Sequence, residues 1–143
     1  MCVVMCVPRE GIIPRLLRCS DTPCAHYMYN SGSLLACCIN ATCLALLDAA
    51  IPLRYMVASV HCIIDKDGNV VVDPTHKQEK EATAHFTFAI DSQQKNVLSC
   101  KTKGTFSNAQ NQQCLNICKD VSTHVFDLSR DVMEKKLSAF PNK

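Results

Sequence analysis

The stretch Gly68-Asn69-Val70-Val71-Val72-Asp73-Pro74-Thr75-His76-Lys77-Gln78-Glu79-Lys80-Glu81 decides how the chain folds. Three β-branched valines run as a strand into a carboxylate, and Pro74 then removes the N–H that a continuing ladder needs. Asp73 therefore stands at a strand end, facing open space rather than core. Six residues later Glu79 supplies a second carboxylate, flanked by Lys77 and Lys80. Two carboxylates on one short loop can hold a divalent cation or a proton between them. The same letters also describe a solvated loop with a one-turn helix, opened by Thr75 and Gln78 as a capping box. Both readings stand at this point.

Upstream, Asp65-Lys66-Asp67-Gly68 reads as a hairpin turn, with Asp-Gly supplying positive φ angles. Before it, Tyr55 to Ile64 is a nearly unbroken apolar run, which predicts a strand buried on both faces and antiparallel to Val70–Val72. His61 within it reads as a hydrogen-bonded core histidine, since no partner stands at metal spacing. Further back, Leu35, Ile39, Cys43, Leu46 and Ala50 recur at helical spacing, and Pro52 stops the helix. Ser31 or Ser33 can cap its start, where free N–H groups favour an anion.

Downstream, Ala84, Phe86, Phe88 and Ile90 alternate with Thr83, His85, Thr87 and Ala89, the pattern of a half-buried strand. Asp91–Gln94 turns, and Lys95 to Lys103 returns as another strand carrying Lys101 and Lys103 on one face. From Ser107 to about Ala139 the spacing predicts one long amphipathic helix. Its apolar stripe is Cys114, Cys118, Val121, Val125, Leu128 and Val132, stepping by 4, 3, 4, 3 and 4. The coarse order is α-β-β-β-β-α, an α+β domain with helices on an antiparallel or mixed sheet.

At 143 residues the chain has the size of one domain, and 48% apolar content marks it as globular. Fifteen Lys and Arg against thirteen Asp and Glu leave a net charge of +2, so any RNA contact must come from a local patch or a partner. Eleven cysteines do not read as a disulfide framework. Cys37, Cys38, Cys43 and Cys62 sit in apolar runs as small hydrophobes, and no secretory signal is evident at Met1–Val7, so a reducing compartment fits. Leu34–Ile51 carries Asn40, Thr42 and Asp48 and reads as a buried helix, not a membrane span.

Residues 1–29 differ from the rest. Pro8, Gly11, Pro14 and Pro23 are expected to break every element there, making a divergent Cys/Pro-rich segment outside the core, with the domain proper over 30–143. Cys19, Cys24 and His26 form a partial zinc set without an evident fourth ligand, so no metal is assigned.

Several blocks carry a resemblance. They are Ser31-Gly32-Ser33-Leu34-Leu35-Ala36-Cys37-Cys38-Ile39-Asn40-Ala41, Ala45–Arg54, Val72-Asp73-Pro74-Thr75-His76-Lys77-Gln78-Glu79-Lys80-Glu81-Ala82, Phe86–Ala89 and Thr102-Lys103-Gly104. Over about 110 residues from Asn30 onward, the chain resembles the RNase PH family, in the branch that forms the ring of the eukaryotic RNA exosome. The resemblance covers only the second of the family's two similar halves. It implies the C-terminal half of an RNase PH-like (ribosomal protein S5 domain 2-like) fold. Without the first half, the Leu34–Ala50 helix and one strand edge are expected to lie uncovered.

In active members a Gly-Thr/Ser-Arg turn at a helix start holds the attacking phosphate. Gly32 and Ser33 fit that turn, but Leu34 takes the arginine position and cannot give a bidentate charged contact. The family's general-acid or metal-binding aspartate falls on Asp73, and its second carboxylate on Glu79, where active enzymes have aspartate. The resemblance therefore implies a noncatalytic structural subunit of the exosome ring, with vestigial Asp73, Glu79, Gly32 and Ser33 and no metal or cofactor. Lys77, Lys80, Lys101 and Lys103 are the RNA-contact candidates. Implied partners are other RNase PH-like ring subunits, cap subunits and RNA, in nucleus, nucleolus and cytoplasm, with no membrane. The alternative is a free-standing phosphorolytic or hydrolytic nuclease acting on RNA or DNA.

Overall fold

The computed structural model describes residues 33–138, together with the backbone of two short strands, 3–6 and 24–27. These strands, β1 (Val3–Cys6) and β2 (Cys24–Tyr27), pair antiparallel with Val3 opposite Tyr27. The prolines and glycine of residues 1–29 thus do not break every element. All four fall in the sequence between two short strands that pair with each other, and β1 lies alongside the first helix. Cys24 and His26 lie in β2 and Cys19 outside the described residues, so that partial set stays outside what is described.

The remaining elements are α1 (Leu34–Asp48), β3 (Val57–Ile64), β4 (Val70–Val72), α2 (His76–Glu81), β5 (Ala84–Asp91), β6 (Val97–Gly104) and α3 (Asn108–Ser138). Four strands form one antiparallel sheet in the order β4-β3-β5-β6. This is the α+β architecture that the periodicities predict, with α2 as the one-turn helix of the Thr75–Glu81 stretch. Gly68 alone of the Asp-Gly pair takes a positive φ, 81°, and its N–H closes the turn onto the Asp65 carbonyl at 3.0 Å. The loop spans residues 65–69, longer than a two-residue hairpin, so a single left-handed position suffices.

Sheet register explains the core. Ala58, Val60, Cys62 and Ile64 pair with Ile90, Phe88, Phe86 and Ala84, and this face is sealed by Cys114, Cys118, Val121 and Val125 of α3. Phe106, in the loop before α3, meets Phe86 edge-on with centroids 4.7 Å apart. The opposite face, bearing Ser59, His61 and Ile63, lies under α1. With a helix on each side, β5 is buried on both faces, not half-buried as its alternation predicts. Thr87 and Ala89 are small enough to sit beneath α1, where an alternating pattern implies solvent.

The α3 stripe also departs from its spacing. Ser107 and Gln110 form a reciprocal cap at the helix start, with Ser107 N–H donating to Gln110 Oε1 at 2.8 Å and Gln110 N–H to Ser107 Oγ at 3.2 Å. The fully buried side chains then step by four, Cys114, Cys118, Ser122 and Phe126, while Leu128 and Val132 are 65% and 46% exposed. A 31-residue helix is about 46 Å long. It outruns the eight-residue strands beneath it, so its end beyond Phe126 has no sheet to cover.

α1 fits the expectation of an uncovered helix. Its fifteen residues are apolar on nearly every side, yet only Ala36 and Cys43 are buried and Leu35 is 42% exposed. Among the described residues no helix is long and apolar enough to cross a membrane. β6 is the far edge of the sheet, with all eight of its residues exposed.

Candidate functional site

The turn at the start of α1, the end of β4, α2 and the middle of β3 come together at one corner of the sheet. Asp73 follows β4 with φ 50°, a left-handed conformation that aspartate tolerates, and its N–H donates to the His61 carbonyl at 2.9 Å. This kink ends the β4 ladder and hands the chain to Pro74, which is buried. The capping box then sets α2, with the Thr75 N–H donating to Gln78 Oε1 at 2.9 Å. Glu79 is thereby turned inward while Lys77 and Lys80 stay exposed.

Glu79 Oε1 accepts the Ser33 N–H at 2.7 Å and lies 3.3 Å from His61 Nε2, while Oε2 is 3.8 Å from His76 Nδ1. Ser33 has φ 54° and its hydroxyl does not cap α1. The expected serine cap is replaced by a carboxylate from another element, because left-handed Ser33 does not place its hydroxyl over the first turn. Ser31 and Gly32 lie outside the described residues.

His61 is more than the core histidine its apolar strand predicts. Its Nδ1 bonds Thr87 Oγ1 at 2.8 Å across the β3–β5 ladder, and its ring stacks on His85 with centroids 6.0 Å apart. Nε2 is buried without a hydrogen bond, within ion-pair reach of Glu79 but not aligned with it. Burial holds the His61 pKa below its ordinary 6.5, and His85 adds to that, against upward pulls from Glu79 and Asp73.

A cleft of about 500 Å³ opens here, lined by Ser33, Asn40, His61, Asp73, Thr75 and apolar residues that include Val72, Val121 and Val125. Among the described residues no lysine or arginine lines it. Asp73 and Glu79 do not act as a matched pair in this corner: Glu79 is turned to Ser33 and His61, and Asp73 is exposed. Among the described residues no group of three His, Cys, Asp or Glu is placed to hold a metal ion.

Lys101 and Lys103 are exposed on β6, opposite Thr87 and His85, on the sheet face that carries His61. The structure thus joins Ser33, Glu79 and His61 directly, brings Asp73 to the same corner, and sets Lys101 and Lys103 along the row beyond. Asn40 is the residue the periodicity missed. Its amide bonds both backbone groups of Ser59, and the only hint was one amide side chain in an otherwise apolar helix.

Residues 55–121 match the model of the 3′ exoribonuclease family, domain 2, of RNase PH type. This segment is an RNase PH second domain. The chain is 34% identical over 113 residues to the exosome complex component RRP46 of Saccharomyces cerevisiae, covering 72% of this chain and 51% of the yeast protein. Among solved structures it is similar to rice Rrp46, with TM-score 0.69 and 28% identity over 73% of this chain and 50% of that one. It is also similar to cell-death-related nuclease 5 of C. elegans, with TM-score 0.76 and 27% identity over 83% of this chain and 66% of that one. The chain spans about half the length of the curated relatives that it matches along most of its own length.

Proposed function

We propose that this chain is a noncatalytic structural subunit of the RNA exosome core ring, supporting 3′→5′ RNA processing and decay through assembly and RNA threading. The observation that carries the reading is a cleft holding Asp73 and His61 with no lysine or arginine among the described residues of its walls. Phosphorolysis must gather inorganic phosphate beside an RNA phosphodiester, and stabilising that much negative charge needs cations. His61, whose pKa burial lowers, is a poor substitute. Leu34 opens α1 where a charged clamp is required.

The yeast and rice relatives bear exosome names, which supports other RNase PH-like ring subunits and cap subunits as partners, with RNA passing through the assembled ring. Lys77 and Lys80 on α2 and Lys101 and Lys103 on β6 are the proposed RNA contacts, being exposed cations beside the same corner. Nucleus, nucleolus and cytoplasm follow as the proposed sites of action.

Tagged chain expressed in its own cells is expected to recover other ring subunits, and to leave labelled RNA intact with or without phosphate. A stable monomer that ignores those subunits, or RNA loss that grows with phosphate, overturns the proposal. The second reading, a free-standing nuclease, draws support from the name of the C. elegans structure. It predicts degradation by the purified chain that Asp73→Ala abolishes.

A further inference from the structure

We propose that Cys62 and Cys118 are a latent disulfide: oxidation by a peroxide joins them, staples α3 to β3 and locks the α3 wall of the cleft. The device is redox-sensitive, and it stands independently of the proposed ring assignment.

The placement of the sulfurs carries the inference. Cys62 sits in β3 at the middle of the sheet, paired with Val72 on one side and Phe86 on the other. Cys114 and Cys118 lie one turn apart on α3, both hydrogen-bond to Cys62, and all three side chains are fully buried. Buried cysteines scattered through a core act only as small hydrophobes. Here the sulfurs converge, and the Cys118 thiol donates to Cys62 Sγ at 3.5 Å. Closing that pair to bonding length takes about 1.5 Å, a movement that side-chain torsions can supply.

Two consequences follow from where the pair stands. The cysteines are 56 residues apart, so a bond between them closes a long loop of the unfolded chain and favours the folded state. One and two turns past Cys118, Val121 and Val125 line the cleft that holds His61 and Asp73. A staple at Cys118 therefore fixes that wall, whereas in the reduced chain only packing holds it.

The reaction consumes two thiols and one peroxide. One thiol gives up its proton, and the thiolate attacks a peroxide oxygen. The O–O bond breaks, leaving a sulfenic acid and one water. The second thiol then attacks the sulfenic sulfur, the S–O bond breaks, and the oxygen leaves as a second water. Both sulfurs are oxidised by one electron each, and the peroxide takes up the two. The Cys118 hydrogen bond and burial push the Cys62 thiol up, so the closed core holds little thiolate. Oxidation therefore begins when α3 lifts and is completed as it closes.

The test treats the full reduced chain with hydrogen peroxide under native conditions and quenches it with an alkylating agent. Disulfides are mapped by mass spectrometry, with melting midpoints and amide hydrogen exchange measured in parallel. A Cys62–Cys118 link is expected in most molecules. The midpoint is expected to rise by several degrees and exchange at Val121 and Val125 to slow, both reversed by dithiothreitol. Cys100→Ser is expected to keep the link and the rise, and Cys118→Ala to lose both. An oxidised native chain without that link overturns the proposal, as does a link that leaves the midpoint and the exchange unchanged. A rise of equal size in Cys118→Ala overturns it too. Should Cys118→Ala not fold, the wild-type disulfide map and its reversal by dithiothreitol decide.

Discussion

The side-chain amide of Asn40 is bonded to both backbone groups of Ser59: Nδ2 donates to the Ser59 carbonyl at 2.8 Å, and the Ser59 N–H donates to Oδ1 at 2.6 Å. A helix side chain here takes the place of a neighbouring strand. β4 pairs only with Cys62–Ile64, so among the described residues the first half of β3 has no strand partner on that side. Along that edge the Val57 N–H reaches Cys43 Sγ at 3.4 Å and the His61 carbonyl accepts from the Asp73 N–H. The sheet edge is thus closed by side chains and a kink, which blunts it against pairing with other chains.

Asn40→Ala leaves a buried N–H and C=O of Ser59 unsatisfied. The expected loss is about 2 kcal/mol, read as a lower urea midpoint at unchanged slope. Asn40→Asp is expected to cost more, because its carboxylate cannot donate to the Ser59 carbonyl and repels it. An aspartate variant as stable as wild type would show that the amide bonds carry no weight.

Stability is expected to fall at mildly acid pH through His61. Its folded pKa lies below 6.5 because burial penalises the charged ring. The unfolded chain therefore takes up a proton first, so the stabilisation is present above 6.5 and lost as pH falls from there through the lower folded value. His61→Gln is expected to flatten that part of the stability–pH curve. Parallel curves for the two proteins would rule His61 out as the source.

Phe126 and Leu128 discriminate between the spacing and the packing of α3. Phe126 is 5% exposed and Leu128 65%. Phe126→Ala is expected to cost about 3 kcal/mol or more, and Leu128→Ala to stay within about 0.5 kcal/mol, in thermal or chemical unfolding. The reverse order would mean that the regular heptad-like stripe, not the Cys114–Cys118–Ser122–Phe126 row, faces the sheet.

Thiol reactivity is expected to split sharply. Cys62, Cys114 and Cys118 are fully buried, with Cys118 Sγ 3.5 Å from Cys62 Sγ. The Cys118 hydrogen bond and burial push the Cys62 thiol up, and burial pushes Cys114 up to about 12. Cys100 is exposed on β6. Mass-resolved alkylation of the native chain at neutral pH is expected to modify Cys100 and spare the buried trio until denaturant is added. Early modification of Cys118 would show that α3 lifts from the sheet without global unfolding.

Local chemistry made much of this chain legible. The valine run ending at Asp73-Pro74, the Thr75–Gln78 cap, the Asp65–Gly68 turn and the two long helices each depend on residues close in sequence, and each appears in place. The Asp73-Pro74-Thr75 block and its neighbours also carried the family resemblance, because short-range spacing is what such blocks preserve. Within residues 1–29, proline and glycine mark where elements stop, but two four-residue runs on either side of them need only each other to form β1 and β2.

Tertiary packing decided the rest. Whether Thr87 and Ala89 meet water depends on α1 lying over β5, and how far the α3 stripe is buried depends on the length of strands distant in sequence. Glu79 was marked by sequence as one of two carboxylates, yet its partners are the Ser33 N–H, 46 residues away, and the His61 ring. A hydrogen-bond donor at a helix start and a half-buried carboxylate carry no sequence signature of each other. They meet only when the sheet corner closes, because burial there makes leaving either group without a hydrogen-bond partner costly.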